Sequence, residues 1–276
     1  MQIKLIYIII LLASKVPLRI LYVLSNIIYF FNKIFIKYRI EIIKKNIKNS
    51  YTQLDKKAID LLIKQFYKSF FNNIIEIIKA IRFSKNDIIE KIKIKNIDSI
   101  EESIRANKSI VLIGSHYGNW EWVVLRIGLI NNIKLHAVYK PLSNYHLDQI
   151  LLRLRRKFGT NLITLNKWKY FIMKKKHSRS TFMFIADQVP DATKNGIRLN
   201  FLNQSTLFYE GAEKTAKLLN ADVFYVDCEK IKKGHYLVSF KKIIAHRITK
   251  EYTTLLENTI NNNPPNWLWS HNRWKR

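Results

Sequence analysis

Between Ser109 and Ala186 the chain alternates short apolar, β-branched runs with stretches of helical period, and that alternation leaves few folds open. The runs are Ser109–Gly114, Leu135–Tyr139, Leu162–Leu165 and Thr181–Ala186. Between them lie helical stretches reaching about Leu129, spanning Asn144–Lys157 and spanning Trp168–Lys176. Repeated β/α alternation implies an α/β fold with a mostly parallel central sheet flanked by helices. The flanks extend this pattern. Lys91–Lys95 alternates as a half-exposed strand, Asp98 and Glu101 suit a helix start, Asp222–Asp227 and Tyr236–Lys242 read as strands, and Glu210–Leu219 and Thr249–Ile260 read as helices. Residues 187–207, with Pro190, Asp191 and Gly196, read as a loop that could shape a pocket. No internal repeat or low-complexity linker divides residues 36–276, so they are expected to form one domain.

The polar residues of the first run gather at its open end, in Gly114-Ser115-His116-Tyr117-Gly118-Asn119-Trp120-Glu121. Ligands of parallel α/β sheets collect at the carboxyl ends of strands, where His116 falls and where Asp187-Gln188 follows its own strand. At about 100° per residue, positions five apart on one helix diverge by roughly 140°, so His116 and Glu121 meet only if the chain breaks between them. Gly118 permits that break. With His116 in the turn and Glu121 in the first helical turn, the carboxylate would fix the imidazole tautomer and give an oriented general base. A solvated histidine at a strand end is the alternative that the residues alone leave open.

Residues 1–35 are strongly apolar but divided by Lys4, Lys15 and Arg19. Leu5–Ala13 and Ile20–Phe31 each fall short of the ~20 residues that span a bilayer, and no small-x-small cleavage pattern follows. An apolar helical segment lying in the membrane interface is expected, with Tyr22, Tyr29, Phe30, Phe31 and Phe35 near headgroup depth; an ordinary buried helix is the other reading. Ile36, Ile40, Ile43 and Ile47 then mark an amphipathic helix with Lys37, Arg39, Lys44, Lys45 and Lys48 on its other faces. Thr52 with Asp55 resembles a capping box for a helix whose stripe runs from Leu62 to Ile81.

Charge enters here: 48 Lys+Arg against 20 Asp+Glu give +28, which draws a protein to anionic lipid, nucleic acid or an acidic partner. A nucleic-acid-binding protein would use that charge, yet no binding module is present and a His and Glu at a strand end would go unused. The single cysteine, Cys228, precludes an intramolecular disulfide and sits in an apolar strand context that reads as core packing. No phosphate loop, dinucleotide fingerprint, nucleophile elbow or zinc helix occurs, and no metal site is expected. The tail Trp267-Leu268-Trp269-Ser270-His271-Asn272-Arg273-Trp274-Lys275 suits either an interfacial anchor or a cap folded back on the site.

Several collinear segments resemble the lipid A biosynthesis (lauroyl/myristoyl-type) acyltransferase family, a branch of the glycerolipid acyltransferases. Ile113-Gly114-Ser115-His116-Tyr117-Gly118-Asn119-Trp120-Glu121 is similar to its His-x4-Asp/Glu block. Tyr38-Arg39 through Lys45-Asn46-Ile47, Val138-Tyr139-Lys140-Pro141-Leu142, Leu154-Arg155-Arg156-Lys157-Phe158-Gly159, Ala186-Asp187-Gln188 and the tryptophan-rich tail resemble its other segments in the same order.

The resemblance implies an inner-membrane enzyme of the cytoplasmic face. It would move a fatty acyl chain from acyl carrier protein to a hydroxyl of a lipid A precursor or related glycolipid, without a cofactor. It makes His116 the base and Glu121 its orienting carboxylate, with Asn119 a candidate oxyanion donor. Lys140, Arg155 and Arg156 become phosphate holders, and Asp187 and Gln188 supports at the substrate. Pro190-Asp191-Ala192 and Phe201-Leu202-Asn203-Gln204 depart from the family's Gly-containing turns, which bears on acceptor and chain-length specificity.

Overall fold

The computed structural model describes residues 2–175, 178–190 and 196–275, with side chains from Tyr7 onward. Asp191 and Ala192 of the departing loop lie outside the described residues.

A seven-stranded sheet of order β1-β9-β8-β2-β5-β3-β4 forms the centre. Its strands are β1 (Ile92–Ile94), β2 (Ile110–Gly114), β3 (Leu135–Tyr139), β4 (Asn161–Thr164), β5 (Thr181–Ile185), β8 (Asp222–Lys232) and β9 (His235–Ile243). All pairings are parallel except the β8–β9 hairpin. The middle strand β2 is buried at every position, as a parallel strand covered on both faces should be. One apolar layer packs Val111, Ile113, Phe182, Phe184 and Tyr225 against Phe66, Phe208, Tyr252 and Leu256; the other packs Leu112, Met183 and Phe224 against Trp122, Leu125 and Phe240.

Helices α6 (Asp98–Arg105), α7 (Trp120–Ile127), α8 (Tyr145–Arg156), α9 (Trp168–Lys174), α10 (Gly211–Leu219) and α11 (Ile248–Asn262) occupy the crossovers and flanks that the alternation required. Before them come α1 (Gln2–Lys15), α2 (Leu18–Phe31), α3 (Ile40–Ser50), α4 (Lys56–Ala80) and α5 (Lys85–Lys91). Asp55 alone caps α4, accepting the Ala58 N–H at 2.7 Å, so Thr52 is not the cap. Residues 196–209 are not loop: β6 (Gly196–Phe201) and β7 (Gln204–Tyr209) form an antiparallel hairpin. Leu202 and Asn203, with φ of 51° and 59°, turn it, and Leu202 is buried because its side chain joins the core.

A continuous helical segment, Leu18–Ile36, is long and apolar enough to cross a membrane, longer than the Ile20–Phe31 run that the sequence bounded. A π-helical turn, Asn32–Ile36, carries it on, because Asn32 points inward, 1% exposed, and accepts the Tyr38 N–H. The inner side of α2 mixes a buried Leu21 with polar groups, Tyr22 bonded to Glu76 and Ser25 bonded to Asn72 of α4. The outer side is apolar and uncovered: Ile20, Val23, Ile27, Phe30 and Phe31 all lie exposed, and Phe35 is 70% exposed. That is the reverse of a helix on a water-facing surface.

Candidate active site

Strands β2 and β5 are parallel neighbours in register, Gly114 opposite Ile185. His116 and Asp187 each lie two residues past those paired ends, so the sheet itself brings them together. Asp187 Oδ1 lies 2.7 Å from His116 Nδ1, and Asp187 Oδ2 accepts the His116 backbone N–H at 3.0 Å and the Trp267 indole N–H at 2.8 Å. The carboxylate is 2% exposed. Burial alone would raise its pKa, but the His116 ring, the Trp267 N–H and the backbone N–H hold it below the ordinary carboxylate range. A carboxylate at Nδ1 fixes the proton there, leaving the Nε2 lone pair to accept. Gln188 Nε2 sits 3.2 Å from it, an amide N–H donor on the reactive nitrogen.

Glu121 is not the partner of His116. It lies in the first turn of α7, and its phase carries it toward α8, where Arg155 donates Nε–H to Oε2 at 2.8 Å and Nη2–H to Oε1. Burial would lower the Arg155 pKa, but Glu121 holds it up. Trp120 stands beside both groups, its ring edge-on to His116 at 5.1 Å and its indole N–H donating to Glu121.

The turn between strand and helix is heavily braced. Gly118 has φ +59°, and a Cβ there would meet Cys228 Sγ at 3.0 Å, so the position needs glycine. Asn119 is the N-cap of α7: Oδ1 accepts the Trp122 N–H and Nδ2 donates to Glu76 Oε2, leaving its amide engaged and fully buried rather than open to an oxyanion. Cys228 lies in the core, where burial pushes its thiol up to about 12. The tail is the cap. Tyr117 pairs with Trp267 as an antiparallel bridge, Leu268 N–H donates to the His116 carbonyl, and the Val189 N–H donates to His271 Nε2. Arg39 and Asn46, read from sequence as part of a family-like segment with no role assigned, hold this tail through the carbonyls of Ser270, Trp269 and His271. Sequence reasoning missed Asn73 and Glu76 because each acts through contacts far along the chain.

Lys140 is exposed just past the carboxyl end of β3. Arg156 is elsewhere: α8 runs back across the sheet, so its last turn faces a cavity of about 640 Å³ around the amino ends of β3 and β4, with Lys134, His136 and Lys175. His136 is buried between the Phe171 and Phe182 rings, and burial together with Lys134 and Lys175 lowers its pKa to about 4. Burial also lowers His271 to about 4, against the pull of Asp187. Both are neutral in the folded protein where an unfolded histidine, at about 6.5, takes up a proton, so stability is lost as pH falls from about 6.5 toward 4. Thermal melts should show Tm falling through that window, and His136→Phe should flatten the fall.

An imidazole with an accepting nitrogen held only by an amide and its other nitrogen on a buried carboxylate, at the carboxyl edge of a parallel sheet, is the equipment of a proton-transfer catalyst, and family comparison gives its class: the protein is an acyltransferase. The chain belongs to the bacterial lipid A biosynthesis acyltransferase family, whose model matches residues 2–276, essentially the whole chain. No curated protein matches the chain closely.

Proposed function

We propose that this enzyme transfers a fatty acyl chain from an acyl carrier protein thioester to a hydroxyl of a lipid A precursor at the cytoplasmic face of the inner membrane. His116 acts as the general base, and Asp187, not Glu121, is its orienting carboxylate. The observation that carries this is the 2.7 Å contact of His116 Nδ1 with Asp187. The acceptor hydroxyl displaces the Gln188 amide from Nε2 and gives its proton to it while its oxygen attacks the thioester carbonyl. Asp187 stabilises the imidazolium as it forms. The tetrahedral oxyanion is met by the Trp120 and Glu121 N–H groups at the start of α7, which have no intrahelical acceptor, the Trp122 N–H being capped by Asn119. Collapse breaks the C–S bond, and the imidazolium returns the proton to the departing thiolate. No acyl-enzyme is needed.

Arg155 keeps Nη1 outside its fork with Glu121, and we assign it and Lys140 to phosphate on the acceptor. The net charge of +28 and the exposed Lys44, Lys45 and Lys48 of α3 suit both an acidic carrier protein and an anionic bilayer. The outward apolar side of residues 18–36 seats the enzyme on the lipid.

The test incubates purified protein with acyl carrier protein thioesters and a phosphorylated disaccharide lipid. A lysophospholipid serves as the competing acceptor. Transfer to the disaccharide lipid is expected; transfer only to the lysophospholipid, or none, would overturn the assignment. Replacing Val23, Ile27 and Phe30 by serine should shift the protein from vesicle pellet to supernatant in flotation assays.

A further inference from the structure

A carboxylate that the proposed chemistry does not use lies beneath the His116 turn. Glu76 of α4 is 0% exposed, and both its oxygens are filled. Oε1 accepts the Tyr22 hydroxyl at 2.7 Å and the Gly234 N–H at 3.1 Å; Oε2 accepts the Asn119 amide at 2.9 Å and the Tyr236 hydroxyl at 2.6 Å. These donors come from α2, the β8–β9 turn, the N-cap of α7 and β9. One turn earlier on α4, Asn73 donates to the Gly118 carbonyl at 2.8 Å and accepts from Tyr236 at 3.2 Å. The Glu76 carbonyl also accepts the Trp122 indole N–H at 3.1 Å.

The packing leaves little slack. Gly234 has φ +67°, and a Cβ there would meet the Tyr22 hydroxyl at 2.8 Å, so the hairpin backbone approaches α2 as closely as a glycine allows. A buried carboxylate is tolerated only while its acceptor sites are filled, and a glutamine would turn an NH2 group against two donors. The Tyr22 donor is supplied by a helix whose outer face is apolar and exposed, as is that of the neighbouring α1, where Ile8, Ile9 and Leu12 lie open.

We infer that Glu76 is a positioning residue that couples the seating of α2 on the domain to the geometry of the turn carrying His116. The inference deepens the proposed acyl transfer and rests on it for its activity arm. Lifting α2 withdraws the Tyr22 hydroxyl from Oε1. The same carboxylate then loses its hold on Asn119, the N-cap begins to fray, and the turn that aims His116 relaxes. Full activity therefore requires α2 to be seated, so the enzyme turns over fastest on a lipid surface that covers α2's outer face.

The experiment uses the full chain on phosphatidylethanolamine–phosphatidylglycerol vesicles and in detergent micelles, as wild type, Tyr22→Phe, Glu76→Gln and Ser25→Ala. Ser25 bonds Asn72 of α4 but touches neither Glu76 nor the turn, so it controls for loosening α2 in general. Hydrogen exchange of amides 117–125 and the separate kcat and KM values are read. Tyr22→Phe and Glu76→Gln should exchange roughly tenfold faster over 117–125 and lose roughly tenfold in kcat with little change in KM. Ser25→Ala should match wild type. Unchanged exchange and kcat in Tyr22→Phe, or the same losses in Ser25→Ala, would overturn the coupling. Tyr22→Phe keeps the test decisive if Glu76→Gln fails to fold. If wild type transfers no acyl group, the functional reading fails while the exchange data still decide the coupling.

Discussion

Asp187→Asn is expected to cost roughly two to four orders of magnitude in kcat, approaching the loss from His116→Ala. An asparagine of the same shape can turn its NH2 toward Nδ1, which moves the imidazole proton to Nε2 and blocks the nitrogen that must accept. Where it turns its oxygen inward, the imidazolium still lacks a counter-charge as it forms. The Trp267 indole and the His116 N–H both donate to Asp187, so part of the loss will be in turn geometry. Wild-type rates in Asp187→Asn, alongside a loss of that size in Glu121→Gln, would hand the orienting role back to Glu121.

Glu121→Ala should act on stability more than on proton transfer. Removing one partner of a buried ion pair costs about 3–5 kcal/mol, since the survivor is left uncompensated. The Arg155 side chain is 19% exposed and can turn partly to water, which places the expected loss at the lower end. Tm should fall by several degrees, and the pH profile of whatever activity remains should stay in place. Joining Arg155→Met to Glu121→Ala should recover much of the Tm, because no buried charge is then unpaired. If the double variant melts no higher than Glu121→Ala, the pair is not what holds α7 to α8.

The parallel sheet was legible because apolar β-branched runs and helical stripes have different periods; β3 was read to its boundaries at Leu135 and Tyr139. The β6–β7 hairpin was hidden by its turn, where Leu202 stands at a left-handed position that usually advertises itself with glycine. His116 stood out from its place after a strand, but its partner did not. Spacing along the chain favoured Glu121, five residues on, whereas register across the sheet selected Asp187, 71 residues on. The inner side of α2 was unreadable for the same reason: Tyr22, expected near headgroup depth, instead turns inward to the buried Glu76 of α4.

The bridge between Tyr117 and Trp267 has a consequence for biosynthesis. The Asp187 carboxylate and the His116 carbonyl are completed by Trp267 and Leu268. These are made last, after every strand of the sheet. The growing chain can therefore dock α1 and α2 and assemble the sheet while its imidazole still lacks a closed surround. Fragments that terminate before Trp267 should therefore be inert even where they fold, because Asp187 and the His116 carbonyl each then lack a donor.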